Sequence, residues 1–123
     1  MESIDARLVA ALSPIAPAWN SVKEDVESDP ANEPEVYFTF QYTTRGADYA
    51  DDEPTVEIVS VHLHLWAPLM QNMTGLIRQT KAAVHRAGFS MPEKVDASDD
   101  KGRHIVFEFQ DVTEVDIDGD FYL

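Results

Sequence analysis

The sequence predicts an α+β domain in which a largely antiparallel sheet of about four strands carries two helices on one face. Some stretches alternate apolar and polar residues, which is the period of a strand with one buried face. Others repeat apolar residues at three- and four-residue steps, which is the period of a helix. The 123 residues and 44% apolar content suit one hydrophobic core, so residues 1–123 are expected to form a single domain.

Three alternating stretches predict strands at residues 36–42, 56–66 and 103–110. The first two are close in sequence and are expected to pair as an antiparallel hairpin. Residues 113–118 (TEVDID) are a candidate edge strand. The residues predicted to face the core are Val36, Phe38, Phe40, Tyr42, Val59, Val61, Leu63, Leu65, Ile105, Phe107 and Phe109.

Two stretches predict helices. Residues 2–12 form a short amphipathic pattern with Ser3 as a candidate cap and Pro14 as the stop. A longer helix is expected to follow Pro68 and to end at Gly88, with a length of about 27 Å at 1.5 Å per residue. Residues 13–34 are rich in proline and acids and predict an irregular surface segment, with Trp19 anchored in the core.

Residues 43–55 (TTRGADYADDEPT) connect the first two strands and are too long and too acidic for a tight turn. They are therefore expected to project as a loop or to extend the hairpin beyond the core. Because long projecting loops often carry function, this segment is a candidate interface. The candidate interface residues are Arg45, Asp48, Tyr49, Asp51, Asp52 and Glu53.

The net charge argues against nucleic acid and membrane surfaces as partners. With 23 acidic and 9 basic side chains, the formal charge is −14, which repels phosphates and anionic lipids. The absence of cysteine excludes disulfides, thiolate metal sites and cysteine nucleophiles, and fits a reducing compartment. The N-terminal residues lack the pattern of a signal peptide, and no apolar run is long enough for a membrane span.

The histidines give a weak metal-binding pattern. His62 and His64 are two residues apart on a predicted strand, so both imidazoles point the same way. A third ligand is missing from their sequence neighbourhood, and His85 or His104 could join them only through the fold. Solvent-facing or partly packed histidines are the favoured interpretation, and zinc binding is the alternative.

No other pattern predicts catalysis or a bound ion. The tail DIDGD, residues 116–120, resembles the start of a calcium loop but has neither the required glycine nor the terminal glutamate. The acid pairs at 51–52 and 99–100 lie in polar loops where water keeps them ionised. No serine lies in a nucleophile motif, and no glycine-rich phosphate loop occurs. We therefore predict no catalytic residue, no metal and no cofactor.

The long helix carries a basic face in an otherwise acidic chain. Arg78, Lys81 and Arg86, together with His85, fall on its polar side. The plainer interpretation is an ordinary exposed face. The sharper interpretation is a contact with acids of a neighbouring subunit, from residues 48–53 or from the tail acids Asp116, Asp118 and Asp120.

The order of these elements resembles the tail-terminator and tail-completion proteins of long-tailed bacteriophages and prophages. The similarity covers about residues 35–110: an aromatic strand from Tyr37 to Phe40, the acidic segment TTRGADYADDEP, the strand EIVSVHLHLW, a long helix, and Gly88 followed by Phe89. The resemblance implies a homo-oligomeric ring, usually of six subunits, that caps the tail tube and joins it to the head connector. It also implies no catalysis and a loop from Arg45 to Glu53 that faces the lumen, the tube or a neighbour.

The resemblance places the protein in the virion, at the head-to-tail junction, after synthesis in the host bacterial cytoplasm. Its partners would be the tail tube and head connector proteins, and an acidic channel would let phage DNA pass without sequence-specific binding. Two alternatives stay open. One is a small acidic monomeric protein-binding module, such as a DNA mimic or an anti-host factor. The other is a metal-dependent enzyme built around His62 and His64.

Overall fold

The computed structural model describes residues 3–20, 35–50 and 53–114. These residues form the helices α1 (Ile4–Leu12) and α2 (Thr74–Arg86) and the strands β1 (Ala18–Trp19), β2 (Tyr37–Ala50), β3 (Glu53–Ala67), β4 (Glu93–Asp96) and β5 (Arg103–Glu114). The strands form one sheet in the order β1-β2-β3-β5-β4. The pairings are antiparallel except for that of β1 with β2.

This architecture confirms the α+β class, with five described strands where the sequence predicted about four. The discrepancy arises in the shortest strands. β1 has two residues, and all four residues of β4 are exposed, so neither shows the alternation that identifies a strand with one buried face. Each is defined by its pairing with a neighbour.

One face of the sheet forms the core with the two helices. The residues predicted to face inward are buried, apart from Val36 and Tyr42, which are half-buried and pack against the core. Leu8 and Leu12 of α1 and Val84 of α2 belong to the same hydrophobic cluster. The prediction of two helices on one face of the sheet is therefore confirmed.

The β2–β3 hairpin continues well beyond the core. Its predicted antiparallel pairing is confirmed, and the ladder runs from Tyr37 opposite Trp66 to Ala50 opposite Glu53. Of the two expectations for residues 43–55, the extended hairpin is the one observed. β5 is also longer than predicted and pairs Glu114 with Val56, so the first two residues of the candidate edge strand belong to it. Residues 115–118 lie outside the described residues.

Helix α1 begins and ends as the sequence predicts. The hydroxyl Oγ of Ser3 accepts a hydrogen bond from the amide of Ala6 at 3.1 Å. The helix ends at Leu12, and Pro14 follows in a turn. The carboxylate of Asp5 hydrogen-bonds the hydroxyl of Tyr42, which raises the pKa of that tyrosine and ties α1 to β2.

Helix α2 is shorter than predicted. It has 13 residues and begins at Thr74, because residues 68–73 form turns. The amide of Gln71 donates to the carbonyl of Pro68 at 3.0 Å, and Oδ1 of Asn72 accepts from the amide of Thr74 at 3.0 Å. The predicted stop at Gly88 is confirmed, since this residue has a φ of 99°, a conformation that suits glycine.

Trp19 does not enter the core. β1 pairs in parallel register with Trp19 beside Thr39, on the sheet face opposite the core. The indole is half-buried and meets the ring of Tyr37 edge-on, with centroids 6.2 Å apart. The prediction of a core anchor was wrong because an isolated aromatic residue in an irregular segment carries no periodicity that shows which face it takes.

Candidate functional site

The outer part of the hairpin, residues 45–50 and 53–58, forms a projection that we call the arm. Val59, which pairs with Thr44, is the last buried residue of β3 before the arm, and residues 56–58 are half-buried. Six strand residues span about 20 Å, so the arm reaches a substantial distance past the core. Arg45 lies at its base and is exposed.

The arm contains most of the candidate interface residues. Asp48 and Tyr49 belong to β2, and Glu53 is the first residue of β3. The register pairs Tyr49 with Pro54 and Ala50 with Glu53, so the fold brings these backbone positions together near the tip. Asp51 and Asp52 lie outside the described residues.

The basic face of α2 is solvent-accessible. Arg78 and Arg86 are exposed and Lys81 is half-buried. No ion pair to these three residues occurs within the described part of the chain. His85 is also exposed, and its Nδ1 lies 3.2 Å from the carbonyl oxygen of Phe89. The tail acids that the sequence offered as partners, residues 116–120, lie outside the described residues.

A groove runs between the two helices beside this basic face. It has a volume of about 510 Å³ and is lined by small side chains from both helices, with an arginine on each: Arg7, Ala10, Ala11, Pro14, Ala83, Arg86 and Ala87. Because alanine side chains are short, a partner's side chain could enter the groove beside Arg86. Arg86 continues the basic face into the groove, and we call this part the cationic surface, whereas the charge of Arg7 is balanced by Asp111.

The sheet face opposite the core carries a row of aromatic and histidine rings. Trp66 stacks on His104 with centroids 3.7 Å apart and on Tyr37 at 6.4 Å. Its indole Nε1 donates to Oγ1 of the buried Thr39 at 2.9 Å. The row follows from the register, which places Tyr37, Trp66 and His104 side by side on three adjacent strands.

The two histidines that the sequence paired have different partners in the fold. His62 and His64 do share a sheet face, as predicted, but His62 lies 3.5 Å from a carboxylate oxygen of Glu108. Nδ1 of His64 lies 2.8 Å from Nε2 of His104, so one ring must donate and the other accept. Burial lowers the pKa of His64, and the charge of His62 lowers it further.

These histidines do not assemble a metal centre of the usual kind. In the described ranges, no group of three or more His, Cys, Asp or Glu residues is placed to hold a metal ion. His104 does join His64 through the fold, but His85 contacts the end of α2 and stays apart.

The described serines and turn carboxylates have structural contacts. Oγ of Ser90 and Oγ of Ser98 accept from the amides of Gln110 and His104, at 2.9 and 3.0 Å. Asp99 lies in an exposed turn, as predicted, where its Oδ1 accepts from the amides of Lys101 and Gly102. The Ser98 hydroxyl and amide hold the pKa of the exposed Asp96 below its usual value. Asp96, Ser98 and Asp99 thus organise the β4–β5 turn, and Ser90 joins the segment before β4 to β5.

Comparison with known proteins adds no family assignment, because no protein-family model matches the chain and no curated protein sequence matches it. The fold itself defines the structural class, which is an α+β domain whose central hairpin extends beyond the hydrophobic core. None of the described helices is long and apolar enough to cross a membrane.

Sequence reasoning missed the residues that only the fold brings together. Arg7 reaches Asp111, which is 104 residues away, and donates to the carbonyl of Ala87 at 2.9 Å. Arg103 lies at the end of the aromatic row, where its Nε is buried. No local pattern marks either arginine, because their surroundings come from distant segments.

Proposed function

We propose that this protein is a structural subunit of a long-tailed bacteriophage or prophage. In this proposal, copies assemble into a ring, with six as the expected number, that caps the tail tube and joins it to the head connector. The arm is the observation that carries the proposal. It coincides with the acidic segment of the resemblance, and it extends from the core in the way that a contact element between subunits requires.

Charge supports an ordered contact between copies. Subunits with a net charge of −14 repel one another unless opposite charges meet at their interfaces. The cationic surface of Arg78, Arg86 and the helix groove is suited to receive acids of the next subunit. A contact between two different surfaces repeats head to tail and closes into a ring if the rotation fits.

The acidic composition also suits the passage of DNA. A channel of negative charge does not adhere to phosphates, so phage DNA would move through the ring without sequence-specific binding. The proposed location is the virion at the head-to-tail junction. The proposed partners are the tail tube protein and the head connector proteins.

Charge reversal on α2 tests the subunit contact. The double variant Arg78→Glu and Lys81→Glu should lose assembly, measured as mass by light scattering in the presence of tail tubes. Lys94→Glu is the control, because it reverses a charge at an exposed position on β4, away from the basic face of α2. If the α2 variant assembles as the wild type does, the proposed contact is rejected.

Deleting the gene in a phage tests the function itself. The proposal predicts that tails fail to join heads, which negative-stain microscopy would show directly. Normal tails joined to heads in the deletion phage would reject the proposal, whatever the state of the purified protein.

A monomeric acidic binding module is the second candidate, and the net charge of −14 favours it. Such a module would offer acids to a basic partner, as a DNA mimic does. It predicts a monomer with and without tail tubes, and binding to a basic protein that weakens as salt rises. Assembly on tail tubes would reject it.

A further inference from the structure

A cleft of about 220 Å³ opens at the end of the hairpin that is opposite the arm. It lies where β3 ends and β5 begins. The rings of Tyr37, Trp66 and His104 line one side, and the turn between β4 and β5 contributes Lys101 and Arg103 to the other. The cleft is separate from the basic face of α2 on which the proposed ring contact depends.

One side-chain nitrogen of Arg103, at this cleft, has no hydrogen-bond partner in the described part of the chain. The side chain is half-buried, its Nε is buried, and no hydrogen-bond partner for Nε occurs among the described residues. A guanidinium stays charged at any ordinary pH and can only donate. A buried donor of a charged group without an acceptor is unfavourable, and an anion that binds the guanidinium from the cleft offsets part of that cost by stabilising its charge.

The turn holds Arg103 and Lys101 in a fixed relation to the cleft. Oδ1 of Asp99 accepts from the amides of Lys101 and Gly102, at 2.9 and 3.1 Å. Gly102 lies so close to β3 that an added Cβ would be 3.1 Å from the carbonyl oxygen of Ala67. The site is therefore built by the backbone before any ligand binds.

We propose that this cleft binds a carboxylate, which accepts hydrogen bonds from Arg103 and is attracted by the charge of Lys101. Arginine is suited to this because its planar fork matches a carboxylate. Glu35 and Asp99 also line the cleft and balance its two cations, which disfavours phosphate with its greater negative charge. The volume is too small for a nucleotide and sufficient for a small monocarboxylate or an acidic side chain of a protein partner.

The aromatic side of the cleft favours carboxylates that carry an apolar group. Because Tyr37 and Trp66 border the cleft, an apolar group attached to the carboxylate gains contact area that a methyl group does not. Benzoate should therefore bind more tightly than acetate.

The side-chain Nε–H signal of Arg103 in ¹H–¹⁵N NMR spectra of the full chain provides a direct test. The signal is assigned by its loss in Arg103→Lys and titrated with sodium acetate, sodium benzoate or sodium phosphate, each against sodium chloride of equal ionic strength. We expect saturable shifts with both carboxylates, at lower concentrations for benzoate. Signals of the Trp66 indole should follow the same curve.

Variants separate binding from folding. Arg103→Lys should weaken benzoate binding by about tenfold, read from the Trp66 indole signal. Lys101→Gln should weaken it by about threefold without affecting the fold, since Lys101 is exposed. Arg78→Lys on α2 is the control and should bind as the wild type does.

The source of the carboxylate is read from the dependence on protein concentration. Shifts by acetate that are independent of protein concentration indicate a free small carboxylate. If the Arg103 signal shifts as the protein is concentrated, and added acetate reverses that shift, the carboxylate comes from an acidic side chain of another copy. The proposal is overturned if carboxylates do not shift the Arg103 signal or if phosphate binds more tightly than acetate. It is also overturned if Arg103→Lys binds benzoate with the affinity of the wild type.

Discussion

Arg7 and Asp111 form an ion pair across 104 residues of chain, with Nη1 and Oδ2 2.5 Å apart. The same guanidinium donates from Nη2 to the carbonyl of Ala87 and lies 4.3 Å from the ring centroid of Phe89. One side chain thus joins α1, the end of α2 and β5. The two side chains are only 22% and 16% exposed, so water screens the attraction much less than at an open surface.

Replacing Arg7 by methionine should reduce the free energy of unfolding by about 2–3 kcal/mol. The change keeps an unbranched apolar side chain but removes the charge opposite Asp111 and the donor to Ala87. Urea unfolding followed by circular dichroism measures the effect. Arg78→Met on the exposed face of α2 is the control, with an expected effect within about 0.5 kcal/mol. If the two variants lose the same free energy of unfolding, the ion pair between Arg7 and Asp111 does not stabilise the fold.

Gly88→Ala should lower the free energy of unfolding by about 1–2 kcal/mol, because residue 88 has a φ of 99°. The new Cβ would also lie 3.2 Å from Nη2 of Arg7, against the same guanidinium. Gly75→Ala is the matched control, since nothing lies within 4 Å of its added Cβ and it is in helix α2. There alanine should stabilise the protein by up to about 1 kcal/mol. Effects of the same sign at both positions would contradict this interpretation.

The strands could be predicted because their alternation reports a physical condition, one face buried and one not. Phe38, Phe40, Leu63 and Leu65 carry that signal over several residues, and the structure pairs them as expected. The extended hairpin was one of two expectations, since the alternation weakens from residue 43 onward. The pairing that continues there depends on the neighbouring strand, which a single stretch of sequence does not describe.

The contacts among the rings on the outer sheet face could not be predicted, because they join residues that are far apart in the sequence. His64 lies 40 residues from His104, and the sequence indicated only solvent-facing or partly packed histidines, with a metal shared by His62 and His64 as the alternative. The start of α2 was missed for a different reason. The helical spacing of Leu69 and Met73 continues through residues 68–73, where turns around Pro68 and Asn72 interrupt the helix.

Truncating Trp19 should cost little stability, as its position outside the core implies. Trp19→Ala removes an edge contact with Tyr37 and should lower the free energy of unfolding by about 1 kcal/mol. Leu63→Ala, at a fully buried site, should lower it by about 3 kcal/mol. Thermal and urea unfolding of the two variants give the comparison. A loss at Trp19 as large as that at Leu63 would mean that the indole supports the core after all.

Acid should destabilise the protein through His64. Burial, with a contribution from the charge of His62, lowers the folded-state pKa of this histidine below its ordinary value of 6.5. At higher pH the ring is neutral in the folded and unfolded chains, so its stabilisation is fully present. As the pH falls through 6.5 the unfolded chain takes up the proton first, and the free energy of unfolding declines until folded His64 is also protonated.

Urea unfolding at a series of pH values from about 8 down to about 5 measures the slope. His64→Gln should flatten it, whereas His85→Gln, at an exposed site on α2, should leave it unchanged. If the slope of His64→Gln equals that of the wild type, groups other than His64 cause the acid sensitivity.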